Sequence, residues 1–267
     1  MIICFFLQKG VNMRTRKNIL KISLGLTATT WLFGACYSLC ANKSTSLKSI
    51  SYNEITKKSI DAKKLGADKG YIDIEYTDPS HCKITDRHWF AASKSFNFNG
   101  GKFIQDGIEY TITELGLSAF FCLIVDWNFK ECNLTIPGTV KKNGDQAFHM
   151  NASTIGSKEI ISIAFEEGVE EIGEAAFYKC DDWTNKTIKL PNSIKHIGNI
   201  AFAMKSLDVL DLSTLDHVIK LDANPLEYQK GAFYGDGIKK IIVKNQMMKD
   251  KYCNDEYWSG AKDLFVY

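Results

Sequence analysis

The residues with reactive side chains come first. Among the five histidines and eight cysteines, the stretch His81-Cys82, Asp86, His88 gathers imidazole, thiol and carboxylate, the donor types of zinc and other transition ions. The spacing matches no paired-ligand pattern and reads as a surface loop. His196, between Lys195 and Ile197, falls at an outward position and reads as a solvated ring. No His-Glu-x-x-His, Gly-x-Ser-x-Gly, Gly-x-Gly-x-x-Gly or phosphate-loop pattern occurs. The acidic pairs Glu166-Glu167, Glu170-Glu171 and Asp181-Asp182 sit at outward positions or turns. An acid and a base need environments that split their pKa values, and a solvated face supplies none. The expectation is a protein with no catalytic residue, no metal site and no cofactor.

Trp89, Trp127, Trp183 and Trp258 could stack sugar rings, but their scatter along the chain favours hydrophobic packing. Asn-x-Ser/Thr sequons at Asn42, Asn133, Asn151 and Asn185 matter only in a eukaryotic secretory pathway. Lys plus Arg is 33 and Asp plus Glu is 31. Residues 1–35 hold five of the bases (Lys9, Arg14, Arg16, Lys17, Lys21) and no acid, leaving 28 against 31, or −3, for the remainder. A faintly acidic body argues against a phosphate backbone as partner.

Those five bases precede an uncharged apolar run, Ile22 to Ala35, which is the layout of a secretory signal. It is too short for a permanent membrane span, which needs about 20 residues. Met13 is the natural start, because it places the basic cluster at the amino terminus. The run ends Leu32-Phe33-Gly34-Ala35-Cys36, which resembles a bacterial lipobox with Phe33 where leucine is usual. Cys36 is the expected lipidation site, and a diacyl anchor would hold the protein to a membrane. Ordinary cleavage near Ser38 or Ala41 is the alternative. Removing Cys4 and acylating Cys36 leaves six cysteines, an even number that permits disulfides without naming a pairing. Residues 36–70, rich in Lys, Ser and Thr, read as a tether with one weak helix around Tyr52–Lys64. Residues 71–105 read as a small β cap, with Asn99-Gly100-Gly101 as turn chemistry.

Past Phe103 the chain repeats itself. The dipeptide Ala-Phe stands at 119–120, 147–148, 176–177, 201–202 and 232–233, with spacings of 28, 29, 25 and 31 residues. Four residues before the Phe lies Gly116, Gly144, Gly173 or Gly198. Five before it lie Leu115, Ile172 and Ile197, with Asn143 the exception; eight before it lie Ile112, Val140, Val169 and Ile194. Leu134-Thr135-Ile136, Ile163-Ala164-Phe165 and Ile188-Lys189-Leu190 alternate with period two, so each reads as a short strand. Pro137 and Pro191 then end the strand, having no amide to donate. The glycine suits a positive φ or a close backbone approach, and the Phe fills the interior. One repeat buries too little to stand alone, so the stack must fold together. The fold class is a repeat solenoid, mostly β with short helical or 3-10 turns, of about five repeats, with a small β amino-terminal cap.

The string Ile188-Lys189-Leu190-Pro191-Asn192-Ser193-Ile194-Lys195-His196-Ile197-Gly198-Asn199-Ile200-Ala201-Phe202 closely resembles the BspA-like, or Treponema-type, leucine-rich repeat. Ile172-Gly173-Glu174-Ala175-Ala176-Phe177-Tyr178-Lys179-Cys180 carries the pattern to its cysteine. The resemblance covers about residues 106–267. It extends to a closing unit in which Ile241-Ile242-Val243 forms a last strand, followed by a short helix toward Tyr257-Trp258. Insertions at 120–134 and 211–229, and Gln229 in place of the glycine, depart from it.

In a solenoid the outward strand residues form an extended face, here Thr135, Ser162, Ala164, Thr187, Lys189, Val209 and Asp211. The resemblance implies an exported cell-surface protein that adheres to host or neighbouring cells through a protein ligand, with a membrane contact through Cys36. A structural envelope component or a glycan-binding accessory is the alternative.

Overall fold

The computed structural model describes residues 57–121, 129–150, 160–180, 183–204, 207–235 and 237–267. The leader, Cys36, most of the tether, Cys122 and Trp127 lie outside the described residues.

Strands β1 (Lys57–Asp61), β2 (Lys69–Tyr76) and β3 (His81–Phe96) form an antiparallel meander, and β4 (Lys102–Gln105) pairs with β5 (Ile108–Leu115) as a hairpin. The sheet therefore begins at Lys57, inside the segment expected to be tether. A strand and a 3-10 turn (Ala62–Leu65) replace the weak helix expected there. The physical reason is pairing: Ile60 lies opposite Ile72 and both are buried, while Lys57 stands opposite Glu75. A lysine-rich edge strand presents only one buried aliphatic, which in sequence looks like a solvated segment.

β3 is the hinge of the architecture. Its first residues, His81–Ile84, pair in parallel with β5, and its last, Ala92–Phe96, pair in parallel with β6 (Phe129–Ile136). Between them the strand bulges at Trp89, whose φ is 54°, against Gly70, where a Cβ would lie 2.6 Å from Phe90 Cα. This one strand thus seeds both sheets of the solenoid. The cap expected at 71–105 is in effect the first coil.

One sheet continues from β5 through the two-residue strands β7 (Lys142–Asn143), β9 (Glu171–Ile172), β11 (His196–Ile197) and β13 (Lys220–Leu221), all parallel. The other carries the alternating strands. It comes in two panels: β3–β6–β8 (Ile160–Phe165), and β10 (Thr187–Lys189) with β12 (Val209–Leu212), β14 (Lys240–Val243) and β15 (Phe265–Val266). A third ladder runs through the turns, where Phe120 N–H donates to Ala147 O (2.7 Å), Phe148 to Ala176 (2.8 Å), Phe177 to Ala201 (2.8 Å) and Phe202 to Ala232 (2.7 Å). Among the described residues these turns are not helical.

Inside lies the aromatic column. Phe120, Phe148, Phe177, Phe202 and Phe233 are fully buried. Successive rings are parallel to within 8° and 5.2–5.5 Å apart. That spacing is close to the 4.7–4.9 Å at which backbone hydrogen bonds hold neighbouring strands, so parallel rings must slide into offset contact, the arrangement their quadrupoles prefer. Phe90 and Phe98 close one end edge-on at 5.2 and 5.6 Å, and Trp258 covers the other at 6.2 Å.

The glycine column serves close approach, not positive φ. A Cβ on Gly116, Gly144, Gly173 or Gly198 would meet main-chain atoms of the preceding coil at 2.4–2.8 Å. The left-handed residue falls two places later, at Ser118, Gln146, Ala175 and Ile200. Asn143 occupies an otherwise aliphatic column; it is completely buried, and among the described residues neither amide atom has a hydrogen-bond partner.

The last coil is closed by helix α1 (Gln246–Cys253), which Asn245 caps through Met248 N–H at 3.0 Å, and by a 3-10 segment, Trp258–Leu264. Trp258 Nε1–H and Tyr252 O–H donate to the main-chain oxygens of Ile219 (2.8 Å) and His217 (3.2 Å).

Two substitutions test this packing by chemical denaturation. Gly144→Ala is expected to lower stability by about 1–3 kcal/mol, because main chain cannot yield to the added methyl. Asn143→Leu is expected to raise it by about 1–3 kcal/mol by removing a buried, unsatisfied amide. A neutral Gly144→Ala would contradict the close-approach reading.

Candidate functional site

The inward positions of the alternating strands are spent on the core: Leu134, Ile163, Ile188, Leu210 and Ile241 are all buried. Their outward neighbours make the candidate face. Thr135, Ser162, Thr187, Val209 and Asp211 are half-buried, and Ala164 and Lys189 are exposed. The face is not continuous as expected. Thr135, Ser162 and Ala164 lie on the first panel, Thr187, Lys189, Val209 and Asp211 on the second, and no ladder joins β8 to β10. Within the first panel Ser162 Oγ donates to Asn133 Oδ1 (2.5 Å), and Asn133 Nδ2 donates to Lys94 O (2.9 Å). Within the second, Lys189 and Asp211 are cross-strand neighbours, but the Asp211 carboxylate accepts from Ser213 N–H (2.9 Å). Lys189 has no ion-pair partner among the described residues.

The cleft where the panels part has a volume of about 390 Å³ and includes Ala164, Thr187 and Lys189 in its lining. Its other charged residue, Glu167, is committed: its carboxylate accepts from Asn192 N–H (2.7 Å) and Ser193 N–H (3.1 Å) of the next coil. Sequence reasoning placed Glu167 on a solvated turn and missed this coil-to-coil cap.

The His81–His88 stretch is a strand, not a loop, and does not assemble as spaced. Cys82 is buried within the core, and His81 pairs with Asp78 at 2.8 Å. The antiparallel register instead brings Asp73, on β2, opposite Asp86, and with His88 these three place ligand atoms within 4.8 Å of one another. A partner one strand away has no signal in local spacing. Here the arrangement works as an ion pair, His88 Nε2 to Asp73 Oδ2 at 2.8 Å. The bond to Asp73 raises the His88 pKa. Burial works to raise the Asp73 carboxyl, but hydrogen bonds from His88 and Ser59 outweigh it and hold that carboxyl below its ordinary value. His196 pairs with Asp222 at 3.0 Å instead of standing free. Every described carboxylate whose pKa is displaced is displaced downward, by bonds from neighbouring cations or amides.

Trp183 and Trp258 are buried and Trp89 is exposed, so the described tryptophans do not gather into a sugar platform. Cys82, Cys132 and Cys180 are buried thiols, and no described cysteine is bridged. Burial pushes the Cys82 and Cys132 thiols up to about 12, which removes the reactive thiolate. Among the described residues no helix is long and apolar enough to cross a membrane.

Residues 107–218 match the family model described as the BspA type leucine rich repeat region, in 6 copies. Residues 107–218 are thus a BspA-type leucine-rich repeat region. No curated protein sequence matches the chain. Among solved structures, the chain is similar to the pneumococcal vaccine antigen PcpA (18% identity, 70% of this chain and 50% of that one, TM-score 0.43). It is also similar to a leucine-rich repeat protein from Bacteroides capillosus (17% identity, 65% and 94%, TM-score 0.35). A third is a leucine rich cell surface protein from Faecalibacterium prausnitzii (14% identity, 66% and 53%, TM-score 0.31). The match spans half the length of the pneumococcal antigen.

The His149 ring lies 4.9 Å from both Phe121 and Tyr178, and its Nδ1 is buried without a partner among the described residues. Burial, with Lys179 nearby, lowers its pKa below the ordinary 6.5. A histidine whose pKa falls on folding binds its proton more tightly when unfolded, so stability drops as pH falls below about 6.5 toward the folded value. His149→Phe, which keeps the ring contacts, is therefore expected to shrink the loss of melting temperature between pH 7 and pH 5.5. His88→Ala is expected to enlarge it, since a histidine with a raised pKa stabilises the fold at the acid end. Equal pH slopes in wild type and His149→Phe would refute the assignment.

Proposed function

We propose that this protein is exported, anchored by a lipid on Cys36, and binds a protein ligand at the cell surface through the outward face of its alternating strands. The observation that carries the binding half is the division of labour within each strand. Inward residues and all three ladders are consumed by the stack, while the side chains of Thr135, Ala164, Lys189 and Val209 make no hydrogen bond or ion pair among the described residues. A rigid scaffold that repeats such positions at coil spacing offers a partner an extended, preorganised surface, so little ordering entropy is lost on binding. The address half rests on the basic, apolar and Gly34-Ala35-Cys36 series in the sequence. The cell-surface description of the Faecalibacterium prausnitzii protein is in keeping with it.

Two measurements test the halves separately. Labelling of the full chain with a palmitate analogue is expected in wild type and lost in Cys36→Ala, with protease shaving of intact cells removing the wild-type protein. Unchanged labelling would remove the lipid. On an array of extracellular matrix and surface proteins, wild type is expected to bind at least one member. The pair Thr135→Arg and Val209→Arg is expected to weaken that binding ten-fold or more, with melting unchanged. A blank array would count against adhesion.

A further inference from the structure

The meander carries a group of donors that neither the stack nor the strand face uses. Along β3 the side chains alternate, so that Arg87 is buried while Asp86 and His88 are exposed. Two residues apart on one strand, Asp86 and His88 share the outward face. Asp73 of β2 is the register partner of Asp86, which sets the two carboxylates directly opposite each other. One nitrogen or oxygen ligand atom from each of the three residues lies within 4.8 Å of the others.

A β-bulge makes this arrangement. Ile74 faces Ile84, so an unbroken antiparallel register would set Asp73 against Thr85 and turn Asp86 inward with Ile84. The register instead shifts between Asp73 and Ile74, and the extra residue, Thr85, donates its hydroxyl to Asp73 O at 3.3 Å. A second shift falls between Lys69 and Tyr71. All three donors lie on the short stretch that the two shifts enclose, and bulges recur beside sites because they re-aim side chains. Ser59 of β1, the register partner of Asp73 on its other side, hydrogen-bonds the Asp73 carboxylate and orients it.

Folding alone does not account for the third donor. Asp73 and His88 satisfy each other at 2.8 Å. Asp86 is in no ion pair among the described residues, and its carboxylate accepts from the Arg87 N–H at 2.7 Å. Like charges directly opposite on an antiparallel pair destabilise it, and a cation between the two carboxylates relieves that repulsion. An imidazole beside two carboxylates suits zinc and its transition-metal neighbours, whereas calcium and magnesium take oxygen ligands.

We infer that Asp73, Asp86 and His88 form a binding site for a divalent transition-metal ion of the zinc type, held by two carboxylate oxygens and His88 Nε2. Ligands about 2.0–2.2 Å from such an ion stand about 3.4 Å apart, so small rotations of the exposed side chains close the group around it. The ion takes the place of the proton that His88 shares with Asp73, and that proton leaves to solvent. Three protein ligands leave a position open for water or for a ligand atom of a partner molecule. Because β3 pairs with both β5 and β6, the ion clasps β2 to the strand on which both sheets are built.

The test titrates zinc chloride into the full chain, freed of metal with a chelator, by isothermal calorimetry. Wild type is expected to take up one more equivalent than Asp86→Asn or His88→Gln, and zinc to raise its melting temperature by an increment that both variants lose. Without metal, Asp86→Asn is expected to melt no lower than wild type, since it removes a like-charge contact, so its lost equivalent is not a lost fold. His196→Gln, at another His–Asp pair, is expected to leave uptake unchanged. The cobalt(II) difference spectrum between wild type and His88→Gln is expected to lack a thiolate charge-transfer band. Equal zinc uptake by wild type and both variants, loss of the same equivalent in His196→Gln, a thiolate band in that spectrum, or calcium bound as tightly as zinc would each overturn the site.

Discussion

The pitch of the coil governs this molecule. Main-chain hydrogen bonds on three sides of the coils, interrupted on one side between β8 and β10, fix the distance to the next at close to strand spacing, and every interior group must fit that repeat. A phenylalanine ring fits only when offset from its neighbours, which is how the rings from Phe120 to Phe233 lie. The same pitch excludes a Cβ where Gly116, Gly144, Gly173 and Gly198 face the main chain of the coil before. Each buried ring contributes about 1.5–3 kcal/mol through burial and its stacking about 0.5–1.5 kcal/mol more. No single coil supplies enough to fold alone, so the interaction that stabilises the stack is also the one that makes it cooperative.

Much of this was legible in the sequence because pitch leaves a periodic trace. The Ala-Phe register, the glycine column and the period-two strands each mark a side chain seen again one coil later, and the rings stack as the register implies. What escaped was what periodicity does not encode. The glycines admitted two explanations, and only the neighbouring main chain decides for close approach. The edge strand Lys57–Asp61 has Ile60 as its one buried apolar residue and could not be told from a tether. Asp73 joins Asp86 and His88 across an antiparallel register that no local spacing reports. Phe165 looked like one more inward apolar residue; that it meets two rings of the column, Phe177 and Phe202, edge-on depends on the packing.

The candidate face was therefore half legible. Its residues point outward as the alternation requires, but their division into two panels is visible only in the strand pairing. Departures from the repeat are where such a stack acquires individuality: Asn143 buries an amide that finds no partner among the described residues, and Phe165 sets a ring edge-on to the aromatic column. A regular solenoid would present one uninterrupted strip, and this one presents two strips with a seam.

The two ends of the column have a further consequence. A pile of near-identical coils is in principle a template for its own extension, since each exposed edge displays the bonding groups that the next coil would use. Here the last coil's acceptors at His217 and Ile219 are taken by the Tyr252 hydroxyl and the Trp258 indole. At the other end the meander finishes in a lysine-bearing strand. Among the described residues, then, the two ends of the pile differ chemically from its interior coils, and part of what a further coil would bond to is already spent.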